Sequence, residues 1–117
     1  IVTEANTAAA MGSGTLPVFA TPALVALMEK TAQESVQDAL EEGCGSVGTM
    51  ICAKHVSATP VGMKVTCQSE LVAVEGRKLV FKITASDACG VVGEADHERF
   101  IIQNEKFLKK ANSKNEQ

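Results

Sequence analysis

Three polar side chains could do chemistry together in this chain: Thr21, Glu29 and His55. Thr21 follows Val18-Phe19-Ala20 and precedes Pro22, at the mouth of a run with helical periodicity. Glu29 lies further along that run. His55 closes the mostly apolar stretch Gly48-Thr49-Met50-Ile51-Cys52-Ala53-Lys54. A hydroxyl, a carboxylate and an imidazole are the parts of a hydrolytic site. An imidazole titrates near neutrality, which suits His55 to proton transfer. Its ordinary alternative is a core histidine bonded to backbone. At ~100° per residue, Glu29 shares the side of Val25 and Val36. A carboxylate on that edge must be paired or functional, because burying it alone is costly. It would serve as base, nucleophile or orienter of His55, or else in a salt bridge between two copies. Thr21 would ordinarily cap the helix. Its chemical use would be to donate to, or attack, a carbonyl.

Spacing limits how these groups can meet. Thr21 and Glu29 are separated by about 12 Å along an ideal helix. That is too far for a direct hydrogen bond. Either they engage different parts of one substrate, or two copies bring them together, or the helix starts irregularly. A site shared between two copies is the favoured reading.

The elements that must hold these residues can be read from pattern. Residues 1–5 read as a strand fragment and 6–17 as a flexible loop, rich in small residues. Thr21 is expected as N-cap and Pro22 as the first helical residue. Apolar positions from Ala23 to Glu42 recur at helical spacing, and Gly43 is expected to end the helix. Strands follow at 48–57, 64–74, 77–87 and 91–107, with Gly76 and Gly90 at turns. Val65, Cys67, Leu71 and Ala73 are apolar at odd positions, as are Leu79, Phe81, Ile83 and Ala85. Facing residues must share one face of the sheet. Odd-with-odd pairing therefore predicts a three-residue loop with Gly76 in a bulge. Glu70 opposite Lys82 favours one register; Gly76 at the last loop position favours another.

One long helix followed by antiparallel strands is an α+β plan. It makes residues 1–108 a single domain, with a polar, frayed tail at 109–117. A single sheet on one helix buries little core, so a second copy is expected.

Bulk composition excludes several partners. The chain has 117 residues and a net charge of −3. That charge argues against binding nucleic acid over a broad surface. Aromatics are 3% of residues, with no Trp or Tyr, so base-stacking platforms are absent. No apolar run approaches the ~20 residues of a membrane span. The four cysteines form no Cys-x-x-Cys pair, so no metal site is expected. A cytoplasmic, reducing location follows as the expectation. Lys106, Lys109 and Lys110 read first as a solvated tail and second as phosphate contacts.

Several motifs, in this order, resemble a known family. They are Val18-Phe19-Ala20-Thr21, Leu27-Met28-Glu29, Gly45-Ser46-Val47-Gly48-Thr49, His55 with Ala58-Thr59-Pro60, Val74-Glu75-Gly76-Arg77, and His97-Glu98-Arg99. The span from about 17 to 108 is similar to hotdog-fold thioesterases of the fluoroacetyl-CoA thioesterase type. The resemblance implies a sheet wrapped around a central helix, a homodimer or higher oligomer, and sites between subunits. It implies hydrolysis of an acyl-CoA thioester, with CoA as part of the substrate and no further cofactor. Carried over by position, Thr21, Glu29 and His55 match the family's catalytic trio. Gly48 matches a glycine lining the acyl site, and Arg99 an arginine near the substrate. The bland readings are a strand-entry glycine and a solvated strand face at His97-Glu98-Arg99. The family's lid phenylalanines have no counterpart in Met11-Gly12-Ser13-Gly14-Thr15-Leu16-Pro17. A general short-acyl thioesterase is therefore expected rather than a fluoroacetyl-selective one.

Two rivals stand beside this reading. A hotdog dehydratase would carry an Asp-x-x-x-x-His pattern on the helix, which is absent here. A non-catalytic acyl-CoA or small-ligand binding module would need neither Glu29 nor His55. Fold alone does not separate a binder from an enzyme.

Overall fold

The central element is a helix with one apolar stripe. Leu24, Met28, Ala32 and Val36 repeat every four residues and are buried. A computed structural model describes residues 1–116 of the chain. A short 3-10 turn at Glu4–Asn6 leads into helix α1, Ala8–Met11, and then α2, Thr21–Gln37. Strands β1, Cys44–His55, β2, Thr66–Glu75, β3, Lys78–Asp87, and β4, Gly90–Gln103, follow. Helix α3, Asn104–Asn112, and a 3-10 turn at Ser113–Glu116 end the described chain. The strands form one antiparallel sheet in the order β1-β4-β3-β2.

The α2 stripe packs on one face of this sheet. Leu79, Phe81, Ile83 and Ala85 of β3 lie beneath it, with Val92 and Ala95 of β4. The expected inward parity of β3 is thus observed. The approach is closest at Gly93, where an added Cβ would stand 2.8 Å from Leu24 Cδ2 and 3.2 Å from Met28 Cε. Only glycine lets the helix settle this near the strand. The α+β hotdog plan of a sheet around one long helix is observed.

Several local expectations are corrected. Residues 1–5 form no strand, and the 6–17 loop contains α1. The α2 N-cap is Ala20, in extended conformation, which leaves Thr21 as the first helical residue. The helix stops at Gln37 rather than Glu42. Tight turns at Ala39 and Leu40, bonded to Val36 and Gln37 carbonyls, swing the chain toward β1. Strand β1 begins at Cys44, because Gly45 to Val47 pair with Ile102 to Phe100. Strand β4 ends at Gln103, and α3 orders part of the expected strand and of the frayed tail.

The hairpin between β2 and β3 is the most instructive correction. Glu75 pairs with Lys78, so its turn has two residues, Gly76 and Arg77. Gly76 takes a left-handed φ of 63°, which such turns demand. Odd does pair with odd further in: Leu71 opposes Phe81 and Cys67 opposes Ala85. The extra residue sits in the strand instead, at a bulge between Leu71 and Ala73. Glu70 opposes Lys82, as one of the two weighed registers required.

Candidate active site

A second bulge builds the site. Gly48 pairs with Arg99 and Met50 with Glu98, so Thr49 is the extra residue of β1. His55 is seven positions after Gly48, an odd offset that in a regular strand would put them on opposite faces. The bulge reverses the parity between them. Ser46 and Gly48 before it, and Ile51, Ala53 and His55 after it, all lie on the helix-facing side opposite Ile101, Arg99, His97, Ala95 and Gly93.

At one end of this face, the helix mouth meets the end of β1. Thr21 Oγ1 and His55 Nδ1 are 2.8 Å apart. Thr21 is exposed at the positive end of the α2 dipole, and His55 is half-buried. His55 Nε2 is covered and has no partner. The pair opens on a cleft of about 270 Å³, lined also by Ser13, Phe19, Val56, Ser57 and Ala58.

At the other end is a buried network. Arg99 Nε donates to Ser46 Oγ and Nη2 to the Ser46 carbonyl, each at 2.8 Å. Arg99 Nη1 lies 3.3 Å from His97 Nε2, and His97 Nδ1 lies 2.7 Å from the Met50 carbonyl. A guanidinium only donates and a carbonyl only accepts. His97 is therefore the neutral Nδ1–H tautomer, giving its proton to Met50 and accepting from Arg99. Its ring is fully buried and Arg99 nearly so. Burial holds the His97 pKa below the ordinary value, and the Arg99 charge adds to that; the Met50 bond and Glu29 oppose it. Burial also lowers the Arg99 pKa, against the pull of Glu29. A Cβ added to Gly48 would stand 3.4 Å from Arg99 Nη1, 3.4 Å from His97 Cε1 and 3.6 Å from Glu29 Oε1. These three side chains bound a notch over Gly48.

The expected residues thus fall into two groups within one chain. Thr21 and His55 meet; Glu29, Gly48 and Arg99 meet; the two groups stand about 12 Å apart along α2. An irregular helix start is excluded, because Thr21 is already helical. The solvated reading of His97-Glu98-Arg99 is corrected too. His97 and Arg99 face inward, and only Glu98 faces out, 3.6 Å from Lys78. His97 and Ser46 were missed as site residues. A period-two pattern through Ala95, His97, Arg99 and Ile101 was their available signal. Among the described residues, no group of three or more His, Cys, Asp or Glu side chains could hold a metal. None of the described helices is long and apolar enough to cross a membrane.

An antiparallel sheet wrapped on one long helix is the hotdog fold, and similarity to known proteins gives the class: a hotdog-fold thioesterase. A Thermus thermophilus thioesterase superfamily member superimposes with a TM-score of 0.91 at 25% identity, over 99% of this chain and 86% of that one. A variant of the fluoroacetyl-CoA-specific thioesterase FlK, crystallised with fluoroacetate and CoA, gives a TM-score of 0.91 at 38% identity, over 97% and 94%. A fluoroacetyl-CoA thioesterase of Streptantibioticus cattleyicolor is 44% identical over 97 residues, 83% of this chain and 70% of that protein. The sequence model of the FlK family, described as fluoroacetyl-CoA-specific thioesterase, matches residues 2–105. The chain belongs to that family, and it is a thioester hydrolase.

Proposed function

We propose that this protein hydrolyses short-chain acyl-CoA thioesters at a site shared by two copies, with Thr21, Glu29 and His55 as catalytic residues. The observation that carries the reading is the 2.8 Å Thr21–His55 pair at the mouth of a cleft. The buried His55 Nε2 has no acceptor. Orphaned buried N–H groups are rarer than orphaned acceptors, so the proton belongs on Nδ1. Nδ1–H then donates to Thr21 Oγ1, and the Thr21 hydroxyl is free to donate outward. It does so to the thioester carbonyl oxygen, beside the positive end of α2, where negative charge develops.

Glu29 of a second copy takes a proton from water as that water adds to the carbonyl carbon. The C–S bond then breaks, CoA leaves as thiolate and takes the proton back from Glu29, and the acid is released. Gly48 and Arg99 of that copy bind the acyl end. Two of the five Arg99 N–H groups stay unused beside the Gly48 notch. The homodimer is supported by the separation of the two groups within one chain. It is supported also by β1, a twelve-residue strand at the sheet edge with one side open for pairing. Four free thiols suit a reducing cytoplasm.

The Met11–Pro17 segment holds no aromatic, and its Ser13 lines the cleft. The substrate class is therefore a short acyl group without selection for fluorine. Thiol release from acetyl-, fluoroacetyl- and longer acyl-CoAs tests this. Acetyl-CoA and fluoroacetyl-CoA should turn over within tenfold of each other. Glu29→Gln should lower kcat by a hundredfold or more, within what a positioned base contributes, ~10²–10⁴. Binding of CoA esters with no cleavage of any would overturn the reading.

A further inference from the structure

Thr21 and His55 are 34 positions apart in the chain, and each stands at the end of its element. One hydrogen bond between an exposed hydroxyl and a half-buried ring contributes little net stability and would hold neither in place by itself. The backbone on both sides converges instead on Thr59, four residues after His55. Thr59 is completely buried. Its carbonyl accepts from Phe19 N–H at 2.9 Å, two residues before Thr21. Beside it, Val18 and Pro60 form an isolated antiparallel bridge. The loop after β1 is thereby joined to the segment that starts α2.

The Thr59 side chain ties this junction to a third element. Its Oγ1 donates to Asp87 Oδ2 at 2.8 Å. Asp87 is the last residue of β3, and its other oxygen accepts from Cys89 N–H at 2.8 Å. Those bonds hold the Asp87 carboxyl below its ordinary pKa, the Cys89 N–H first and the Thr59 hydroxyl second. The same hairpin grips the chain beyond His55, where the Val92 carbonyl accepts from Val56 N–H at 2.8 Å. Three segments that are remote in sequence thus meet at one residue, the helix start through the Thr59 carbonyl and the end of β3 through its hydroxyl. None of the cleft-lining residues is Thr59 or Asp87.

We propose that Thr59, anchored by Asp87, is a positioning residue that keeps Thr21 and His55 in hydrogen-bonding register. It touches no substrate. It rests on the reading of Thr21 and His55 given above, and its effect is on kcat rather than on binding. A hydroxyl is required rather than bulk. Valine fills the same volume, but it leaves Asp87 Oδ2 without its donor and frees the loop to shift.

The test uses the full chain and acetyl-CoA. Thr59→Val should lower kcat at least tenfold and leave KM within twofold. Thr59→Ser should restore kcat to within threefold of the parent. The His55 ring resonances, followed by NMR, should move in the valine variant and return in the serine variant. Asp87→Asn removes one acceptor at constant size and should reproduce the valine effect, even where Thr59→Val does not fold. A lowered Tm with unchanged kcat and unchanged His55 resonances in the variant that folds would overturn the proposal, leaving Thr59 a purely structural residue. Thr21→Ala is measured alongside. If it leaves kcat intact, the reading of the active site fails, while the NMR comparison still decides whether Thr59 positions the ring.

Discussion

The two polar groups on the helix-facing side are built in opposite ways. Thr21 and His55 are joined by one hydrogen bond, at an open cleft, with one ring nitrogen unpartnered. Arg99, His97 and Ser46 are knitted by several bonds inside the protein. The first arrangement leaves a hydroxyl free to change partners during a reaction. The second fixes a cation whose donors cannot wander, which suits binding rather than proton traffic. The two histidines thus differ in the duties we propose for them: chemistry for His55 and architecture for His97.

The largest effect should come from exchanging each ring for a methyl group. His55→Ala should lower kcat by a hundredfold or more and change stability little, because the ring has one partner. His97→Ala should cost about 3 kcal/mol of stability, by emptying a buried site and stranding the Met50 carbonyl and an Arg99 N–H. Kinetics and denaturant melts of both variants check this. A catalytic collapse with unchanged stability in His97→Ala would erase the contrast.

A smaller effect is expected at the notch. Gly48→Ala puts a methyl at 3.4 Å from Arg99 Nη1 and His97 Cε1, a contact that the neighbours can absorb. It should raise KM for acetyl-CoA by about fivefold, roughly 1 kcal/mol of lost binding, with kcat within twofold. An unchanged KM would remove the acyl end from the notch.

The smallest effect is a slope with pH. His97 has a folded pKa below the unfolded value of 6.5. Below that value the unfolded chain binds the proton more readily, so stability falls as pH drops. The His97 contribution is complete above 6.5 and is lost progressively as pH falls from there toward the folded pKa. Melts between pH 7.5 and 5 should show this decline, and His97→Phe should flatten it. An identical slope in that variant would assign the effect to other groups.

Much of the architecture was legible from pattern. The α2 stripe and the odd-position burial of β3 were readable because helix and strand periods are local properties. The ends of elements were less so. Thr21 carries the residue type of an N-cap, yet Ala20 caps and the Thr21 hydroxyl goes to His55 instead. Leu40 continues a helical pattern, but the chain must turn there to reach β1. His97 and Arg99 are polar types that usually stay in water, and their mutual bond together with those to Ser46 and the Met50 carbonyl makes burial tolerable.

The amino-acid order by itself determined the long amphipathic helix, the strands, the α+β plan and the residue types of a hydrolase. Those follow from backbone preferences and from which side chains avoid water, and both act within a few residues. Tertiary structure alone decided which residues share a face on either side of a bulge. The bulges at Thr49 and Val72 reverse the side-chain alternation of their strands, and a bulge exists only relative to the partner strand that skips it. By that one-residue slip Gly48 and His55 came to the same side of the sheet.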